Sequence, residues 1–84
     1  MGVYTNYEVE FADFVSWDDD QVRRRLATFN CFFLYLRDME TMTLMFSVYS
    51  QHEIKEVLDI LYEIYDVQIK YRVYGSQIWK HHTY

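Results

Sequence analysis

Three histidines, one cysteine and thirteen Asp and Glu side chains are the groups of this 84-residue chain best suited to hold a metal or move a proton. His52, His81 and His82 stand at no metal-ligand spacing with one another or with Cys31, and neighbouring His81 and His82 point to opposite faces of a strand. They read as part of an exposed C-terminal tail. Cys31 has no Lys or His beside it in sequence to lower its thiol pKa, so it reads as a small strand residue. Glu8 and Glu10, two positions apart, share one face of a strand, but general acid–base work would need one of them raised by burial, and the pattern places both outward. The sequence therefore predicts no catalytic residue, no metal, no cofactor and no enzymatic reaction. What remains is contact chemistry. Asp18, Asp19 and Asp20 form an acidic triplet followed by Arg23, Arg24 and Arg25, and the i,i+4 pairs Asp19–Arg23 and Asp20–Arg24 have the favourable acid-first order. Most of that run is expected to pair with itself on a solvated helix face, leaving the triplet as an acidic knob.

These groups must be positioned by short elements, and the periodicities give their order. Val3 to Phe11 alternates, with Tyr7, Val9 and Phe11 on one face and Tyr4, Asn6, Glu8 and Glu10 on the other. Ser16, three residues before Asp19, predicts the start of a first helix, with Val22, Leu26 and Phe29 as its apolar stripe. Cys31 to Arg37 and Met42 to Ser50 alternate again, and pairing inward with inward residues predicts an odd-numbered hairpin loop around Asp38 to Thr41. Ser50-Gln51-His52-Glu53 is a capping box that opens a second helix with Ile54, Val57, Leu58, Leu61 and Tyr65 on its core side. Val67 to Val73 alternates once more. Gly75-Ser76 fits a type II′ turn, after which Gln77 to Tyr84 can return as an edge strand that sets Arg72 against Trp79, a cation–π geometry.

The order strand, helix, two strands, helix, strand predicts an α+β chain of ferredoxin-like split βαβ type, βαββαβ with room for a fifth C-terminal edge strand. Its antiparallel sheet is expected to carry two helices on one face, as a single domain over residues 1–84. Families that share this fold use signatures the chain lacks: the basic, glycine-containing RNP consensus of RNA-recognition motifs, although Tyr4 and Tyr49 occupy roughly comparable faces with Glu8 and Glu10 between them, the glycine-rich first loop of acylphosphatases, the Cys-x-x-Cys of small metallochaperones and the loop glycine of amino-acid-sensing domains. The net charge of −5 disfavours a nucleic-acid backbone as direct partner and favours a protein with a basic surface. No window approaches the ~18 apolar residues of a membrane span, nor does the start resemble a signal peptide. A lone cysteine suits a reducing compartment, so the expected location is cytoplasmic, the host cytoplasm if the chain is viral.

The sheet face away from the helices is expected to display Tyr4, Phe33, Tyr35, Met45, Tyr49 and Tyr74, flanked by Glu8, Glu10, Arg37, Lys70 and Arg72. Aromatic area of that kind usually marks an interface. The expected partner-binding residues are Asp18, Asp19, Asp20, Glu8, Glu10, Phe33, Tyr35 and Tyr49. In size, acidity, tyrosine content and shortness of loops, the whole chain resembles small phage and archaeal-virus proteins that inhibit host defence, of the anti-CRISPR and anti-restriction type. The resemblance implies a non-enzymatic inhibitor that binds a host protein, and it assigns no role to any one residue. Two other readings remain open: a structural homodimer packed through the sheet face, and a small-ligand-sensing regulatory module.

Overall fold

Where apolar residues alternate the chain is strand, and where they recur every three to four residues it is helix. The computed structural model describes residues 4–29, 31–48 and 53–82, the side chains of 31–35 and 53 excepted. Along the chain run β1 (Thr5–Phe11), α1 (Asp19–Arg25), β2 (Cys31–Asp38), β3 (Thr43–Val48), α2 (Glu53–Tyr65), β4 (Ile69–Val73) and β5 (Lys80–His81). The strands form one five-stranded sheet in the order β2-β3-β1-β4-β5, antiparallel at every junction. The chain is thus α+β, and its last strand lies at an edge.

Tyr7, Val9 and Phe11 of β1, Leu44, Phe46 and Val48 of β3 and Ile69 of β4 pack with Val22 and Leu26 of α1 and with Ile54, Val57, Leu58 and Leu61 of α2 in one buried cluster. Each such side chain contributes about 1.5–3 kcal/mol on leaving water. Both helices share this cluster and touch each other, so they cover the same face of the sheet.

Three local expectations are revised. The hairpin pairs Leu34 with Phe46 and Leu36 with Leu44, inward with inward, but closes as Asp38↔Thr43 with a register shift after Leu36. Parity is restored by this irregularity in β2 instead of an odd loop, and Met42 takes a left-handed φ of 51° where the loop re-enters β3. Asp18, not Ser16, is the α1 N-cap: its Oδ1 accepts from Gln21 N at 3.1 Å. The β4–β5 turn encloses Tyr74-Gly75, with Ser76 N donating to Val73 O at 2.9 Å and Gly75 at φ 90°, which fits type II, not II′. Beyond it β5 still pairs in the expected register, Tyr71 with Lys80 and Lys70 with His81. Residues 50–52 of the capping box and the Glu53 side chain lie outside what the structure describes.

Candidate functional site

Three connections meet at one end of the sheet: the loop from β1 to α1, the β2–β3 hairpin and the link from α2 to β4. Phe11 N donates to Met42 O at 3.1 Å and Ala12 N to Gln68 O at 2.8 Å, which ties the first to the other two. Tyr65, the last residue of α2, props the assembly. Trp17 stacks on its ring (5.8 Å between centroids, 18°), Phe11 meets it edge-on, and Asp18 N donates to its hydroxyl at 3.0 Å. Burial raises the Tyr65 phenol pKa above the ordinary tyrosine value, against the lowering effect of the Asp18 amide.

On this frame Phe14 and Met39 stand out into solvent, 67% and 63% exposed. Each sits beside carboxylates fixed by local turns: Asp13 Oδ1 accepts from Phe14 N, and Asp38 Oδ1 from Glu40 N. Between the two loops lies a cavity of about 320 Å³ lined by Glu10, Phe11, Ala12, Asp13, Phe14, Glu40, Thr41 and Met42. Segments 11–20, 38–42 and 66–68 hold Asp13, Asp18, Asp19, Asp20, Asp38, Glu40 and Asp66 without one Lys or Arg. Asp66 adopts a left-handed φ of 53° just after α2, whose last turn has no basic residue. A carboxylate there opposes the helix dipole, so this acidity runs against local stability.

The expected site residues fall into three groups. Asp18, Asp19 and Asp20 all lie at this end, but Asp18 is engaged as the cap and Asp19 bonds Arg23 at 2.7 Å. The Arg23 bond, assisted by Trp17 Nε1, holds the Asp19 carboxyl below its ordinary pKa. Asp20 is exposed.

Glu8 and Glu10 lie on the sheet face away from the helices. Glu8 was expected to face water and is instead buried, its carboxylate bonded to Arg72 at 2.6 Å from β4 and to Arg37 at 3.0 Å from β2. Arg72 in turn lies 4.4 Å from the ring centroid of Trp79, the geometry anticipated from the turn register, and Lys70 lies at 4.8 Å from the same ring. Glu10 has only a 3.8 Å contact to Lys70. Glu8, Glu10, Arg37, Asp38, Thr41, Thr43, Arg72 and Trp79 line a polar cleft of about 340 Å³. The charged residues expected to flank this face are present on it and joined in ion pairs, Glu8 with Arg37 and Arg72 and Glu10 with Lys70. Met45 is buried, while Tyr4 and Tyr74 are exposed.

Of the remaining expected contacts, Phe33 and Tyr35 are described by their backbone alone, within β2, with Tyr35 opposite Met45. Tyr49 lies outside the described residues. Phe14, Met39, Asp13 and Glu40 were not anticipated from sequence. Their only sequence mark is a large apolar residue off the strand and helix periods with an acid next to it. His82 is also no exposed tail residue: it is buried against α2, its Nε2 2.9 Å from Asp59 Oδ1. Neither atom makes an aligned hydrogen bond. Among the described residues no group of three His, Cys, Asp or Glu side chains comes together as metal ligands, and no helix is long and apolar enough to cross a membrane. Comparison with protein-family models, curated proteins and solved structures finds no match.

Proposed function

We propose that this chain is a non-enzymatic protein-binding domain whose partner presents a basic surface, and that it binds through the acidic end of the sheet. One observation carries the reading: Phe14 and Met39 are exposed side by side with carboxylates, in loops that contain no Lys or Arg. Large exposed apolar side chains supply contact area, while the surrounding charge steers a cationic partner and excludes an anionic one. The most specific form of the proposal is a cytoplasmic inhibitor of a host defence protein, after the resemblance to small anti-defence proteins. The same reading assigns the fold to the ferredoxin-like group with one added edge strand, supported by β3 lying between β1 and β2 and β1 between β3 and β4. Self-association through the sheet face has less support, because Glu8 and its two arginines already satisfy one another at its centre.

The test is affinity capture from lysate of the native host with three baits: the wild-type chain, Phe14→Asp/Met39→Asp, and Asp18, Asp19 and Asp20 each changed to Lys. One dominant basic partner is expected, weakened by salt and lost with both variants. A partner retained equally by all three baits at high salt would remove the acidic end from consideration.

A further inference from the structure

A hollow of about 430 Å³ lies at the end of the sheet opposite the acidic loops, between β4, the turn that follows it and the first turn of α2. Its volume falls in the range of small-ligand sites. Buried Tyr7 and half-buried Tyr71 lie deepest, Ile54 of α2 and Val73 and Ile78 on either side of the turn supply apolar walls, and exposed Lys80 stands outermost.

Tyr7 is the residue that points to a ligand. It is only 4% exposed, yet among the described residues nothing hydrogen-bonds its hydroxyl, nor that of Tyr71. Buried polar groups are as a rule paired, so this phenol must find its partner in the hollow it lines. Its ring is held by Phe46 and Tyr71, at centroid distances of 5.8 and 6.4 Å. Burial, and after it the neighbouring Tyr71, raises the Tyr7 pKa above the ordinary tyrosine value, so the hydroxyl keeps its proton and can donate it. Charge then selects the acceptor. Among the described residues that line the hollow there is no Asp or Glu, although the chain has thirteen. The Arg72 guanidinium is committed to Glu8, and the Ser76 hydroxyl accepts from Ile78 N at 3.2 Å. Lys80 makes no ion pair among the described residues, which leaves two phenol donors and one ammonium beside apolar walls.

We propose that this hollow binds a small amphipathic carboxylate, whose head accepts hydrogen bonds from Tyr7 and Tyr71 and pairs with Lys80 while its apolar body packs on Ile54, Val73 and Ile78. Hydrogen bonds to a charged acceptor are the stronger kind, which suits a carboxylate to donors that have no other partner. The site goes beyond the protein-binding reading and shares no residue with the acidic end, so each can fail while the other stands.

The test uses the full chain, labelled for amide NMR and titrated with phenylacetate, with phenylacetamide as the uncharged probe of the same shape. The amides of Tyr7, Ile54, Tyr71 and Lys80 are expected to shift and saturate together with phenylacetate, and phenylacetamide should bind about tenfold more weakly. Tyr7→Phe, which keeps the ring, should weaken phenylacetate binding by about tenfold and leave the thermal unfolding of the free chain where it was, because no internal hydrogen bond is lost. Lys80→Met should weaken binding by about threefold to fivefold, the range open to one exposed ion pair. Arg24→Met, the same change of net charge on α1, should not. Equal binding of phenylacetamide, an affinity unmoved by Tyr7→Phe, equal responses to Lys80→Met and Arg24→Met, or no saturating shift at these four amides would each overturn the proposal. So would a loss of stability in Tyr7→Phe, which would give that hydroxyl to the fold instead of to a ligand.

Discussion

Taking a carboxylate out of water costs several kcal/mol unless other charges and hydrogen bonds replace the solvent, and Glu8 has both. Arg37 reaches it from β2, across β3, and Arg72 from neighbouring β4 on the other side, so either guanidinium alone still leaves the acid a partner. That redundancy predicts a non-additive response. Arg37→Ala and Arg72→Ala should each lower stability by about 1 kcal/mol, while the double variant, which leaves a nearly buried charge alone, should lose about 3 kcal/mol or more. Urea unfolding of the four proteins closes the cycle, and simple additivity would show that Glu8 does not depend on the pair. Part of this network was legible in sequence. The Arg72–Trp79 pair was expected from a Gly75-Ser76 turn, and it forms although the turn encloses Tyr74-Gly75, because unpaired residues before Lys80 return β5 to the same register. The burial of Glu8 was not legible, since alternation tells which face a residue is on but not which long side chains, here one from neighbouring β4 and one from β2 beyond β3, will close over it.

At the scale of elements, α2 ends against its own preferences. Its last turn has no cation, and Asp66 follows with φ 53°, its N–H donating to Tyr62 O at 2.7 Å as the chain leaves the helix. Glycine is the residue that suits this position, and a negative charge is the one the helix dipole disfavours. Asp66→Gly is therefore expected to raise stability by about 0.5–1 kcal/mol, and Asp66→Val, branched at Cβ, to lower it by about 1–2 kcal/mol. Thermal unfolding followed by circular dichroism measures both, and a loss of stability in the glycine variant would show that the aspartate side chain is needed by the fold. Apolar residues that keep one period make β1, β2, β3, α2 and β4 legible in the sequence, whereas α1 is marked by its acidic start and β5 by the turn before it. The sequence misplaces details where two local solutions compete: Ser16 and Asp18 can both cap α1, and both an odd loop and a displaced β2 residue restore the hairpin's parity. Only packing, here of Trp17 on Tyr65 and of Met42 into the core, decides between them.

Over the whole molecule, charge is distributed as unevenly as the core is continuous. The net −5 is not spread over the surface: Asp13, Asp38, Glu40 and Asp66 gather at one end with the acidic start of α1, while Arg37 and Arg72 are committed to Glu8. Gathering like charges destabilises the folded state through self-repulsion and at the same time raises the rate at which a cationic partner is drawn in. The two effects share one cause and must change together. Neutralising Asp13, Glu40 and Asp66 as Asp13→Asn, Glu40→Gln and Asp66→Asn should stabilise the chain by about 1 kcal/mol at low ionic strength, roughly 4–8 °C in Tm for a domain of this size. The gain should shrink in high salt, where the repulsion is already screened, and association with a basic partner should slow by at least tenfold at low salt. Calorimetry at two salt concentrations and stopped-flow association measure the two sides. A variant that binds more slowly without becoming more stable would locate the carboxylates in direct contacts instead of a field, and one that becomes more stable yet binds unchanged would place the partner elsewhere on the surface.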